Sequence, residues 1–123
     1  MKVLMSIKPE FAFKIFDGTK KFEFRRAIFK NPDIKKIIVY ASSPVQKVIG
    51  EFEIDGILIL GIEKLWRETR HDSGISKEYF IQYFGGKEHG YAIKIKKTKK
   101  YKRPLCLKDD FNTLPPQSFR YVA

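Results

Sequence analysis

The segment Gly18-Thr19-Lys20-Lys21-Phe22-Glu23-Phe24-Arg25 marks the point where the chain changes from helical to extended periodicity. Upstream, Pro9 suits the first turn of a helix, where its missing N–H is not needed, and Gly18 suits the left-handed residue that ends one. Between them Phe11, Ala12, Ile15 and Phe16 share one helical face. From Lys21 to Arg26 the period becomes two: Phe22 and Phe24 point one way, and Lys21, Glu23 and Arg25 the other. Glu23 and Arg25 therefore stand on one face of a strand. Lys20 precedes the alternation and is expected to be a mobile point charge at the same side.

Working outward, strands are predicted at Lys36–Ala41 and Val45–Ile54, joined by the turn Ser42-Ser43-Pro44 as an antiparallel pair. Ile62–Arg70 reads as a helix burying Leu65 and Trp66. Ser76 is a good N-cap for a second helix that ends at Gly85-Gly86 and carries Phe80, Tyr83 and Phe84 as a core stripe. His89–Lys96 alternates as a strand with one wet face. A short strand near Tyr101–Leu107 and an irregular Pro115–Phe119 tail complete the chain. Strands and helices without βαβ alternation predict an α+β fold, a mostly antiparallel curled sheet or small β-barrel with flanking helices. With 123 residues, 43% hydrophobic content and no internal repeat or linker, the expectation is one domain over 1–123.

Twenty-five Lys and Arg against 14 Asp and Glu give a net charge of +11, a field that attracts polyanions. Nucleic acid is the first partner this implies. The N-terminus lacks a long apolar stretch and no apolar run approaches the roughly 20 residues of a membrane span, so a cytoplasmic protein without a membrane partner is expected. Cys106 is the single cysteine, flanked by Leu105 and Leu107, and reads as core filling in a reducing compartment. His71 and His89 have no cysteine at zinc spacing, so neither metal nor cofactor is expected.

The pattern G-x-K-x-x-E-x-R at Gly18–Arg25 resembles the signature of the ASCH family of the PUA-like superfamily, small domains associated with RNA. The resemblance implies a PUA-like fold whose cleft meets nucleic acid or a nucleobase-like ligand through Lys20, Glu23 and Arg25. The chemistry of these groups fits: Arg25 can pair bidentately with a phosphate or base edge, and Glu23 can accept from an exocyclic amine. An ion-pair ladder on a solvated strand face is the plain alternative. The resemblance also brings a hydrolase reading in which Lys20, Glu23 and Arg25 are catalytic, as in family members thought to be metal-independent ribonucleases. A related branch deacetylates acylated nucleosides with a threonine three residues after the lysine; Glu23 occupies that position here, so that branch's nucleophile is missing.

Downstream, Lys94, Lys96, Lys97, Lys99, Lys100, Lys102 and Arg103 are seven cations within ten residues. With Tyr91 and Tyr101 they have the composition of a single-strand groove, RNA being favoured, in which lysines follow the backbone and aromatics stack on bases. A lysine-protected strand edge is the competing reading. Lys21, Ser42 and Ser76 are further candidate contacts, Ser76 because a helix N-terminus offers free N–H groups to anions. Capping and turn formation account for the two serines without a ligand.

Overall fold

Lys2-Val3-Leu4-Met5-Ser6-Ile7 is too continuously apolar to show a period, and it forms the strand around which the architecture is arranged. The computed structural model describes residues 1–123. In chain order it contains β1 (Lys2–Ile7), α1 (Pro9–Asp17), β2 (Phe22–Arg25), β3 (Lys36–Ala41), β4 (Lys47–Gly61), α2 (Ile62–Thr69), α3 (Lys77–Phe84), β5 (His89–Leu105) and β6 (Phe119–Val122). A 3-10 turn at Arg70–Asp72 follows α2, and one π-helical turn at Leu107–Phe111 follows β5. Val3, Leu4 and Met5 are all fully buried. A strand covered on both faces loses the polar alternation by which strands are read.

The six strands form one mixed sheet in the order β2-β5-β4-β3-β1-β6. β1 runs parallel to β3, with Val3 opposite Ile37 and Ile7 opposite Ala41. All other pairings are antiparallel. The fold is thus α+β and PUA-like in layout, and the sheet stays open rather than closing into a barrel, with β2 and β6 at its edges. No helix is long and apolar enough to cross a membrane.

Two predicted boundaries move. β4 continues past Ile54 to Gly61, and β5 is one strand from His89 to Leu105 rather than two. Their shared ladder shifts register between Val48 and Gly50, Phe52 and Ile54, and Ile54 and Gly56. Each bulge inserts unpaired residues that break strict alternation without ending the strand, which is why period-two reading divided β5.

Three apolar clusters hold the layers. Val3, Met5, Ile37, Val39, Phe52 and Ile93 pack under Ala12 and Ile15 of α1. Phe22, Phe24 and Ala92 meet Leu65 of α2 and Phe80 and Phe84 of α3. On the remaining face, Leu4, Ile38, Tyr40 and Val48 are covered by Leu107 of the π turn. The expected α3 stripe holds for Phe80 and Phe84, whereas Tyr83 is only partly buried. Cys106 is likewise only partly buried and free.

Gly50 sets the distance between α1 and the sheet. A Cβ there would lie 2.5 Å from the Phe16 ring and 2.6 Å from the Lys99 carbonyl oxygen. Gly50→Ala is expected to destabilise the protein by about 1–3 kcal/mol through overpacking against backbone that cannot yield. Urea unfolding should show a lowered midpoint with an unchanged slope.

Candidate functional site

The turn after α1 is fixed by its own backbone. Gly18 adopts φ 87°, and the N–H groups of Thr19 and Lys20 both donate to the Lys14 carbonyl, at 3.1 and 3.0 Å. Lys21 N–H then donates to the Asp72 carbonyl at 2.8 Å, docking this turn on the segment that precedes α3. These bonds turn Lys20 inward. It is 2% exposed, and its Nζ donates to the Ser73 carbonyl at 2.8 Å. The ammonium lies 4.8 Å from the Phe24 ring centroid and 5.3 Å from that of Phe11. Gly74 takes φ 69° beside it, where a Cβ would come within 2.6 Å of Lys20 Cβ. The mobile charge expected from the sequence is instead a pinned one. Burial lowers its pKa from 10.5 to about 8, a shift opposed by the Glu23 carboxylate and aided by Lys14.

Glu23 and Arg25 share the other face of β2, as strand parity requires, and are ion-paired with Arg25 Nη1 3.1 Å from Glu23 Oε2. Both side chains are largely buried, at 7% and 11% exposure. Arg25 Nη1 also donates to the Ser6 carbonyl of β1 at 3.3 Å, and Nη2 donates to Ser118 Oγ at 2.5 Å. Ser6 N–H donates to the Ser118 carbonyl at 2.9 Å, and Ser6 Oγ to the Pro116 carbonyl at 2.5 Å. The guanidinium therefore spans from one edge strand to β1 and to the segment leading into β6. It brings together the two sides of a sheet that share no ladder, and it leaves Arg25 fewer donors for a ligand than the sequence suggests.

Between these edges lies a cleft of about 660 Å³. Lys20, Glu23, Arg25 and Ser42 line it, with Lys8 and Arg26 as further cations and Glu23 as the lone acid. Phe11, Tyr79 and Tyr83 make one wall: Phe11 meets Tyr79 edge-on at 5.1 Å, and Tyr79 and Tyr83 lie nearly parallel, 6.3 Å apart. Lys8 sits over Tyr79 at 5.5 Å and Arg26 over Tyr83 at 4.9 Å. Tyr40 also lines the cleft, and Pro115–Ser118 crosses the rim. Burial raises the phenol pKa of both Tyr83 and Tyr40.

The other candidates lie outside this cleft. Lys21 is exposed and held by its backbone, and Ser76 caps α3 by accepting the Tyr79 N–H at 3.1 Å. Tyr91, Lys94, Lys96, Lys97, Lys99, Lys100, Tyr101 and Lys102 follow β5 away from it. Tyr91 and Tyr101 are ten residues apart on that strand, about 30 Å at 3.3 Å per residue, so they form no common stacking platform. Tyr101 is further committed by donating to Glu51 Oε1 at 2.8 Å. Conversely, Ser6, Tyr40, Tyr79 and Tyr83 line the cleft without any local sequence signal, because separate elements bring them there.

The sequence pattern that defines the ASCH domain matches residues 5–102. The large ribosomal subunit protein uL22 of Ureaplasma parvum serovar 3 is 32% identical over 123 residues, 98% of this chain, of which this chain spans only 39%. The ASCH domain-containing ribonuclease of Zymomonas mobilis is 30% identical over 125 residues, covering 98% of this chain and 84% of that protein. The crystal structure of ASCH from Zymomonas mobilis superposes with a TM-score of 0.90 at 31% identity, covering 99% of this chain and 87% of that one.

Lys20 gives a direct test of the site's electrostatics. Its folded pKa of about 8 lies below the ordinary 10.5, so the folded protein gains stability as pH rises through that window and loses it as pH falls toward 8. A pH titration of unfolding free energy should show this rise in the native protein and lack it in Lys20→Met, while titrations elsewhere cancel in the difference. Parallel curves would mean that Lys20 keeps an ordinary pKa.

Proposed function

The chain belongs to the ASCH family, and from that premise we propose that it binds RNA, holding one nucleotide in the cleft beside β2 and α3. The observation that carries this is the lining itself: Lys8, Lys20, Arg25 and Arg26 against Glu23 alone, beside a wall of three aromatic rings. A phosphate is drawn to Lys20, Lys8 and Arg26, and a base packs on the Tyr79–Tyr83 wall, where stacking contributes roughly 1–3 kcal/mol per base. Glu23 has one carboxylate oxygen without a protein partner, which can accept from an exocyclic amine. Single-stranded RNA fits this arrangement better than duplex, because a stacked base must leave its helix.

A second reading is strand cleavage in the same cleft, favoured by the relative named a ribonuclease, which aligns along nearly the whole chain. Here the 2′-hydroxyl attacks the adjacent phosphorus, Glu23 takes its proton, and the bond to the 5′-oxygen breaks. Lys20, charged below about pH 8, stabilises the charge on the phosphoryl oxygens, and the leaving oxygen is protonated by Lys20 or water. Glu23→Gln keeps an acceptor for Arg25 while removing the base.

End-labelled single-stranded RNA incubated with the protein, with and without EDTA, separates the readings. Binding alone predicts intact, retarded RNA, with an affinity changed about threefold or less in Glu23→Gln and lowered about tenfold in Tyr83→Ala. Cleavage predicts shortened strands that disappear in Glu23→Gln, and persistence in EDTA marks the chemistry as metal-independent. In either case affinity should weaken as pH rises through about 8 and Lys20 loses its charge. The absence of both retention and cleavage would remove RNA as the ligand of this cleft.

A further inference from the structure

Only three ion pairs form in the molecule, and within the ten residues Lys94–Arg103 only Lys94 takes part, 3.6 Å from Asp55. Lys96, Lys97, Lys99, Lys100, Lys102 and Arg103 are all exposed with no carboxylate within ion-pair distance. Glu51, which faces Lys99 across the ladder, is engaged instead by Lys36 at 3.2 Å and by the Tyr101 hydroxyl. β2 covers β5 only from Tyr91 to Lys94, so the outer side of β5 beyond that point has no strand partner. Lys99 and Lys100, opposite Glu51 and Gly50, leave on opposite faces of the strand. Unpaired cations thus flank a free edge from both faces.

Protection against edge-to-edge pairing does not account for this density. Register shifts in the β4–β5 ladder already disrupt the edge, and Pro104 within β5 removes one of its N–H donors. We propose that the outer edge of β5 from Lys96 to Arg103 is a second RNA-contact surface, separate from the cleft, which tracks the sugar–phosphate backbone of a single strand. The inference rests on the RNA reading above but not on occupancy of the cleft, since none of these residues lines it. The two surfaces adjoin: the Lys21 carbonyl, next to Lys20, accepts the Ile95 N–H at 3.0 Å where the free edge begins. A nucleotide held beside Lys20 therefore has a basic track leading from its binding site.

The test uses the full chain and two probes, a twelve-nucleotide single-stranded RNA and a 5′-phosphorylated dinucleotide too short to reach the edge. The variant combines Lys96→Gln, Lys97→Gln, Lys99→Gln and Lys100→Gln, all at exposed, unpaired positions, with the fold checked by circular dichroism. Affinity for the twelve-mer should fall at least about tenfold, and the slope of log K against log salt should flatten by about 3, at roughly 0.7 for each phosphate no longer neutralised. Dinucleotide binding should be unchanged. An unchanged salt slope overturns the proposal, as does an equal loss for both probes, which would make the lysines part of one undivided site. Binding of the native protein to vesicles containing phosphatidylserine, with no retention of the twelve-mer, also overturns it by assigning the edge to a lipid surface. If the dinucleotide fails to bind while the twelve-mer keeps a lysine-dependent salt slope, the cleft reading falls and the edge stands.

Discussion

One guanidinium joins the two open sides of the sheet. β2 and β6 occupy opposite edges and exchange no ladder bonds, yet Arg25 on β2 reaches the Ser6 carbonyl of β1 and the Ser118 hydroxyl just before β6. The same group pairs with Glu23, whose carboxylate is otherwise surrounded by cations and buried surface. Removing one member of a buried pair leaves the other charge uncompensated, so truncating either Glu23 or Arg25 destabilises this network. That guanidinium, together with the Ser6 N–H and hydroxyl, holds Pro116–Ser118 across the rim of the cleft. An ion pair on a strand face and a ligand cleft are here two aspects of one arrangement.

Lys20 shows how the fold holds a buried ammonium group without a close carboxylate. A carbonyl oxygen receives one donor, two aromatic faces offer their quadrupoles, and Glu23 acts at longer range. These do not fully offset the loss of water, which is why the pKa falls to about 8. A lysine poised there retains most of its charge at neutral pH yet can exchange a proton far more readily than one in solution. Gly74 is required for the same reason of space, since any side chain would displace the lysine stem.

The positive charge of the chain is divided between two different physical settings. In the cleft, the cations are arranged against aromatic rings and one carboxylate, so their geometry can select a ligand. Along β5 beyond Lys94 they are exposed, unpaired and repeated, a setting suited to a linear polyanion and sensitive to salt. Net charge alone does not distinguish these two populations, because it counts a caged lysine and a solvated one alike.

Local rules were enough wherever the cause was local. Pro9 and Gly18 bound α1, Ser76 caps α3, and period two places Glu23 and Arg25 on one face of β2. The α+β class and the family signature at Gly18–Arg25 were legible on the same grounds. Other features were hidden by distance or irregularity. β1 lacks alternation because both its faces are covered, and β6 exists only through pairing across the length of the chain, Lys2 opposite Val122. β5 read as two strands because its bulges interrupt the period. Lys20 read as mobile because the Ser73 carbonyl that holds it lies 53 residues away. The sequence by itself determined the helix limits, the strand parity of the signature and the sign of the charge, all set by neighbours within a few residues. Only the tertiary structure decided that the sheet stays open, that Tyr40, Tyr79, Tyr83 and Ser118 meet the signature, and that Lys20 is buried, since burial and convergence arise from contacts between segments that local periodicity does not encode.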